Sequence, residues 1–251
     1  MIVTIARTEL RRMFASVLAW SILALVVLVL GLLFSVYVET FLTVIQPRLA
    51  AQPGAPGVTD SVVAPLILMA GVLMLVVSPL LTMRSLSEER QTGTFVLLRS
   101  SPVSATQIVL GKYLGLLGFL AVLMAILALF PAALSLGTAL DWGKAGAGML
   151  GLFLLIGSFL AAGLYVSSLT AVPTLAALGA FGLLLMLFLL YLSGNAQATA
   201  SPLFAYLSHF GHFLSFVEGR FDSQDLAYYL LFIVTALVAT IRHLDNQRLQ
   251  P

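Results

Sequence analysis

Few side chains in this sequence can do chemistry, and they are widely spaced. The chain of 251 residues has three histidines and no cysteine. His209 and His212 stand three positions apart, a spacing that brings two imidazoles to the same side of a helix and suits a metal ion. No third ligand is evident nearby, so the segment 202–222 is predicted to be an outer amphipathic helix rather than a metal site. Its membrane side would carry Phe204, Phe210, Phe213 and Phe216.

A run containing glycine and lysine, 137–145, is the nearest approach to a phosphate-binding loop. Five residues separate Gly137 from Gly143, where that loop has four, and Ala145 replaces the hydroxyl that binds Mg²⁺. Nucleotide chemistry is therefore expected to come from a partner protein, and no cofactor or metal is expected on this chain.

A charged segment, 84–105, separates two long apolar runs and includes Glu88, Glu89 and Arg90. Ser85–Glu88 and Ser104–Gln107 each match a capping box, and Gly93 is suited to end a first short helix. The apolar residues 94–98 between them predict a second short helix. A short apolar helix of this kind is expected to pack in a groove, either on the protein's own spans or on a soluble partner.

The composition indicates that the solvent of this protein is a membrane. Hydrophobic residues make up 61% and charged residues 9%, with a mean hydropathy of +1.09, whereas a soluble globular chain has about 25% charged residues. We therefore expect an all-α integral membrane protein. The net charge of +2 is spread over short loops, which leaves no electrostatic footprint for nucleic acid.

Six apolar runs are long enough to cross a bilayer, which takes roughly 20 residues. The run 145–217 has no charged residue and is divided at Pro173, because proline lacks the amide donor and restricts the residue before it. Lys112 is expected to snorkel to the membrane interface at the start of the third span. The predicted spans are 17–38, 61–83, 106–135, 146–169, 173–193 and 226–243, all within a single domain.

Six spans place both termini on one side of the membrane. The opposite loops carry only Arg48, Lys144 and Arg220 of the 12 basic residues, so the positive-inside rule places the N and C termini in the cytoplasm. Residues 1–14 are predicted to form an amphipathic helix on the cytosolic leaflet, with a disordered basic anchor as the alternative.

Two motifs resemble a known family. Glu88-Glu-Arg-Gln-Thr-Gly-Thr-Phe-Val-Leu-Leu-Arg-Ser-Ser-Pro-Val-Ser104, followed by Ile108-Val-Leu-Gly-Lys-Tyr-Leu114, resembles the coupling segment of type-2 ABC exporter permeases. The matching positions are Glu88 or Glu89, Arg90, Gly93, Thr94, Leu98, Ser101, Pro102, Val103, Ser104, Gly111 and Lys112. Residues 207–229 are similar to the segment before the last span in the branch that serves gliding motility and nitrous-oxide-reductase maturation, although Phe213-Leu-Ser replaces a more usual charged pair.

The resemblance implies a permease of the bacterial inner membrane that works with a cytosolic ABC ATPase dimer. ATP and Mg²⁺ would be bound by that ATPase, and a second permease copy would complete a homodimer, with a periplasmic or accessory membrane protein and membrane lipid as further partners. The implied ATPase-coupling residues are Glu88, Glu89, Arg90, Gly93, Thr94, Phe95, Leu98, Ser101 and Pro102. The 94–98 helix would enter a cleft of the ATPase, and the two glutamates would pair with arginines of the ATPase or of the N-terminal helix.

Other function classes fit less well. An intramembrane enzyme needs a histidine or carboxylate within a span, and the predicted spans have neither in a suitable place. An ion-coupled secondary transporter usually has an ionisable group at that depth, but a Na⁺ site made of carbonyls leaves this alternative open. A membrane scaffold subunit without transport activity is a further alternative.

Overall fold

The computed structural model describes residues 1–49, 56–93, 103–195 and 206–249. Within these ranges the regular structure is entirely helical, as predicted. The α-helices are α1 (Ile2–Ala15), α2 (Val17–Thr40), α3 (Gln46–Leu49), α4 (Ala64–Thr82), α5 (Ser87–Gln91), α6 (Ala105–Leu134), α7 (Trp142–Leu169), α8 (Pro173–Asn195), α9 (His209–Val217) and α10 (Ser223–Leu249). The π-helical segments Phe41–Ile45 and Thr59–Val63 join α2 to α3 and lead into α4.

Six helical stretches of the described residues are long and apolar enough to cross a membrane. They are Val17–Arg48, Thr59–Gln91, Ala105–Leu134, Trp142–Leu169, Pro173–Tyr191 and Ser223–Gln247. The prediction of an all-α protein with six membrane-spanning helices is therefore confirmed. The break at Pro173 is present, since α7 ends at Leu169 and α8 begins at the proline.

Helix α7 forms the centre of the bundle. Of its most apolar stretch, 72% is buried within the protein, against 17% for α2 and for α8. Glycines on α7 allow this close packing: a Cβ on Gly148 would touch Ile67, and one on Gly163 would overlap Thr82. Small residues at helix crossings let backbones approach closely in membrane proteins, which explains why α4 lies directly against α7.

The N-terminal helix α1 packs along α6 at a row of glycines. Cβ atoms on Gly111 and Gly115 would each lie 2.7 Å from a side-chain atom of α1, and Gly118 faces Leu10. Two glycines four positions apart suit close helix packing either within one subunit or between two. In the structure α1 of the same chain occupies them, and Glu9 and Met13 on its inner face are buried.

Helix α9 enters the bundle instead of lying on it. Phe210, Phe213 and Phe216 have 2% or less of their surface exposed, so the prediction that they face the membrane is wrong. Glycines on the neighbouring helices make room for the rings, because a Cβ on Gly71 would lie 2.7 Å from Phe213. Phe204 lies outside the described residues.

The two predicted capping boxes differ in outcome. Ser104 Oγ accepts from the Gln107 amide at 3.2 Å, and Gln107 Oε1 accepts from the Ser104 amide at 3.3 Å, which confirms the box that starts α6. The box at Ser85 is wrong, because α5 begins at Ser87 and Ser85 Oγ instead lies 3.5 Å from Glu9 Oε1.

Candidate functional site

Charged and polar side chains meet around the short helix α5 at one end of the bundle. We call this group the α5 cluster; it comprises Glu9, Arg12, Glu88, Glu89, Arg90, Lys112, Ser167 and Gln247. The cluster joins α5 to α1, α6, α7 and α10. It lies at the end of the bundle that also carries the N terminus.

Glu88 connects α5 to the N-terminal helix. Arg12 Nη2 donates to Glu88 Oε2 at 2.6 Å, and the two side chains are 43% and 33% exposed. The pairing of a Glu88 carboxylate with an arginine of the N-terminal helix, one of the two partners expected from the sequence, is present. An ion pair as exposed as this one contributes at most about 1 kcal/mol, so it sets position more than stability.

Glu89 connects α5 to α6 through Lys112. Lys112 Nζ lies 2.7 Å from Glu89 Oε1 and 3.3 Å from Glu9 Oε2, and only 3% of the lysine side chain is exposed. The ammonium of Lys112 does not extend into solvent, because two carboxylates meet it inside the protein. The two carboxylates offset the cost of burying the ammonium, because they attract its charge and accept two of its hydrogen bonds.

Arg90 connects α5 to the last helix. Its Nη2 donates to Gln247 Oε1 at 2.6 Å, and Gln247 Nε2 lies 2.9 Å from His243 Nε2 one turn earlier on α10. Three consecutive residues of α5 therefore contact three different helices: α1, α6 and α10.

The central helix α7 holds the start of α5 through a serine. The backbone amides of Leu86 and Ser87 each donate to Ser167 Oγ at 3.2 Å, and Ser167 donates to the Met83 carbonyl at 3.1 Å. Helix N termini leave amides without intrahelical partners. A buried serine of α7 satisfies two of them here, which takes over the role that the sequence assigned to Ser85.

The predicted coupling residues are only partly within the described structure. Glu88, Glu89 and Arg90 lie together on α5, and Gly93, with φ of +72°, follows the end of that helix as predicted. Thr94, Phe95, Leu98, Ser101 and Pro102 lie outside the described residues. The predicted 94–98 helix and its groove therefore stay predictions.

Sequence reasoning missed Glu9 and Gln247 as members of the cluster. Glu9 is the only acidic residue in α1 and is buried on the same face as Met13. A carboxylate on the inner face of a basic amphipathic helix requires a cation opposite, and this signal was available in the sequence. Gln247 has no such signal, since its position beside Arg90 depends on how α10 packs.

A second polar group surrounds α9 at the opposite end of the bundle. His209 Nε2 lies 3.0 Å from Ser158 Oγ and its Nδ1 lies 2.8 Å from the Tyr228 hydroxyl. His212 Nδ1 lies 2.6 Å from Asp225 Oδ1, and its Nε2 contacts the Tyr206 carbonyl at 2.8 Å. All four ring nitrogens thus have protein partners, and no group of three metal-ligating side chains occurs among the described residues.

Helix α9 lies outside the six membrane-spanning stretches. Burial is the main influence on the pKa of His209. Desolvation, together with the nearby His212, lowers the pKa of His209 to about 3. A neutral ring that bonds Ser158 and Tyr228 serves as a structural connector between α7, α9 and α10. This arrangement replaces the membrane-facing amphipathic helix as the interpretation of the two histidines.

The family model described as "ABC-2 family transporter protein" matches residues 3–240. No curated protein matches the chain at a significant level.

Proposed function

We propose, because the chain belongs to the ABC-2 family of transporter proteins, that it receives mechanical work from a separate ATPase through α5. The family makes the chain a membrane permease component of an ABC transporter, and six apolar helices make it a multi-pass membrane protein. The force would enter the bundle at α5 and spread to the spans through the contacts of the α5 cluster.

One observation supports this proposal above the others: consecutive side chains of α5 each contact a different helix. Glu88 contacts Arg12 on α1, Glu89 contacts Lys112 on α6, and Arg90 contacts Gln247 on α10. A displacement of α5 would therefore move three helices together with α7, which holds the first amides of α5.

The charges in this arrangement suit transmission of movement. A buried ion pair contributes little net stability, but it fixes the relative position of the helices it joins, because separating the charges within an apolar medium is costly. Lys112 is the strongest case, since its ammonium is almost completely buried between Glu89 and Glu9. The helices α1, α5 and α6 are thus expected to move as one unit.

The proposed partner is a dimer of cytosolic ABC ATPase subunits that bind ATP and Mg²⁺. Each would accept the apolar segment around Phe95 and Leu98 in a cleft and push on α5 through Gly93 when ATP closes the dimer. Thr94, Ser101 and Pro102 would shape that segment. This places α5 and both termini in the cytoplasm of a bacterium, with the chain in the inner membrane as a homodimer.

The pattern at residues 207–229 supports the branch concerned with gliding motility and nitrous-oxide-reductase maturation. In that branch the permease would work with a periplasmic or accessory membrane protein at the opposite end of the bundle. We propose export or maturation as the work performed, and place the docking of that partner near α9.

The test is reconstitution with the ABC ATPase encoded nearest to this chain's gene. Phe95→Ala with Leu98→Ala should weaken co-purification of the ATPase, because an apolar anchor at an interface hot spot contributes about 2 kcal/mol or more. The control is Phe221→Ala, which removes an aromatic ring that is 60% exposed at the opposite end. Normal recovery of the ATPase with the double variant would contradict the coupling role.

A charge exchange tests the transmission step separately. Glu88→Arg places two cations against each other and should leave ATPase binding largely intact while ATP hydrolysis no longer responds to the permease. Combining it with Arg12→Glu restores an ion pair in the reverse sense and should restore coupling. If the single variant couples normally, or the exchange rescues nothing, the contact between α1 and α5 does not transmit movement.

A further inference from the structure

A cavity of about 240 Å³ opens where α1, α2 and the end of α4 meet, beside the α5 cluster. Its wall combines polar and apolar residues. The polar ones are Arg12, Arg84, Ser16, Ser85, Glu9 and Glu88, and the apolar ones include Leu18 and Leu80. The volume is several times the roughly 30 Å³ share of one water molecule and below the roughly 300 Å³ of the smallest drug-sized sites. It therefore suits one polar group of a larger molecule.

Arg84 is the charge lining this cavity for which the described residues provide no ion-pair partner. Arg84 is exposed, and no carboxylate of the described residues lies within ion-pair distance of it. Of the two carboxylates that line the cavity, Glu88 pairs with Arg12, and Glu9 shares Lys112 with Glu89. Arg12 keeps 43% of its side chain exposed and has further donors to offer.

The apolar wall belongs to helices that span the membrane. Leu18 lies at the start of α2, and Leu80, which is 38% exposed, lies near the end of α4. A molecule that places an anionic group beside Arg84 can thus extend an apolar chain along both helices. A soluble anion would leave this wall without a partner.

From the charge and the shape of this cavity we infer that it is a binding site for an anionic phospholipid. The phosphate lies between Arg84 and Arg12, the hydroxyl of Ser16 is available to its ester oxygens, and one acyl chain follows Leu18 and Leu80 into the bilayer. Arginine suits this role because its planar fork donates two hydrogen bonds to a phosphate.

The site would connect lipid composition with the position of α1. A phosphate held by Arg12 and Arg84 joins α1 to the end of α4, next to the Arg12–Glu88 ion pair. Anionic lipid would therefore hold the N-terminal helix against the bundle, and this inference is independent of the identity of the ATPase partner.

The experiment measures lipid binding to the full-length chain in neutral detergent by native mass spectrometry. Phosphatidylglycerol and phosphatidylcholine with the same acyl chains are titrated against the unaltered protein, Arg84→Gln and Arg242→Gln. The last is the matched control, an exposed arginine on α10 that does not line the cavity. We expect the first phosphatidylglycerol to bind about fivefold more weakly to Arg84→Gln, since one arginine near anionic lipid contributes roughly 1 kcal/mol.

The remaining arms distinguish the lipid from a free phosphate. Glycerol 1-phosphate, which has the head group without acyl chains, should compete poorly with phosphatidylglycerol. Arg84→Glu should lose the preference for phosphatidylglycerol over phosphatidylcholine altogether, while its thermal midpoint without lipid stays close to that of the unaltered chain. Equal loss with Arg242→Gln, no loss with Arg84→Gln, or competition by glycerol 1-phosphate at the same concentration would each overturn the assignment.

Discussion

Gly115 of α6 lies so close to Glu9 of α1 that a Cβ on the glycine would be 2.7 Å from the Cβ of the glutamate. The same hypothetical atom would lie 3.0 Å from the carbonyl oxygen of Ala6. Only a residue without a side chain permits this approach. The approach in turn lets the Glu9 carboxylate reach Lys112 on α6.

Gly115→Ala should therefore displace α1 from α6. Overpacking of a close contact costs about 1–3 kcal/mol, and here it also separates Glu9 from the buried Lys112. The thermal midpoint of the purified chain should fall, measured by intrinsic fluorescence in detergent. Gly146→Ala is the control, because nothing lies within 4 Å of a Cβ at that position; it should leave the midpoint unchanged or raise it slightly. Equal effects of the two variants would contradict the packing role of Gly115.

Removing the buried ammonium should be more damaging than removing an exposed one. Lys112→Met leaves Glu9 and Glu89 without their cation inside the protein and should destabilise the chain by about 3 kcal/mol. Lys144→Met breaks a more exposed ion pair with Asp60 and should cost about 1 kcal/mol or less.

The reason for the Lys112 effect can be tested in the same series. Adding Glu9→Gln and Glu89→Gln to Lys112→Met removes the uncompensated charges, so much of the lost stability should return. If the triple variant is as unstable as Lys112→Met alone, lost packing and not unpaired charge explains the damage.

Orientation in the membrane can be tested directly, since the chain has no cysteine of its own. Single cysteines at Gln91 and Thr138 occupy exposed positions at opposite ends of the bundle. An impermeant maleimide should label Thr138→Cys in intact cells, and Gln91→Cys only after the inner membrane is opened. The opposite pattern would place α5 outside the cell and exclude contact with a cytosolic ATPase.

The buried His209 should make the protein less stable in mild acid. Its pKa of about 3 in the folded chain lies below the roughly 6.5 of an unfolded histidine. Between these values the unfolded state binds more protons, so the contribution of His209 is complete above pH 6.5 and is lost as the pH falls. The loss between pH 7 and pH 5 should be about 2 kcal/mol.

Comparison with His209→Gln isolates this contribution from those of other acidic and basic groups. Thermal midpoints of both proteins are measured from pH 7 to pH 5 in the same detergent. The midpoint of the unaltered chain should fall more steeply than that of the variant. Parallel profiles would mean that His209 does not carry the pH dependence.

Local sequence rules predicted several features correctly because each depends on neighbouring residues alone. The capping box of Ser104 and Gln107 forms as expected, since both partners lie in one helical turn. Gly93 follows α5 with positive φ, and Pro173 begins α8, for reasons of backbone geometry at a single position. Of the candidate site, the sequence identified Glu88, Glu89 and Arg90 as a group and gave an arginine of the N-terminal helix as one expected partner. It did not identify the contacts of Glu89 with Lys112 and of Arg90 with Gln247.

What the sequence alone determined is the number of helical spans, because the length of an apolar run decides whether it can cross a bilayer. Which side each residue faces depends instead on how the helices pack in three dimensions. Phe213 and Phe216 turned out to be buried in the protein and not in lipid, and Lys112 met a carboxylate 103 positions away. The physical reason is that lipid and the interior of a membrane protein are equally apolar. A hydrophobic pattern therefore cannot distinguish them, and only packing between distant helices brings the charged partners together.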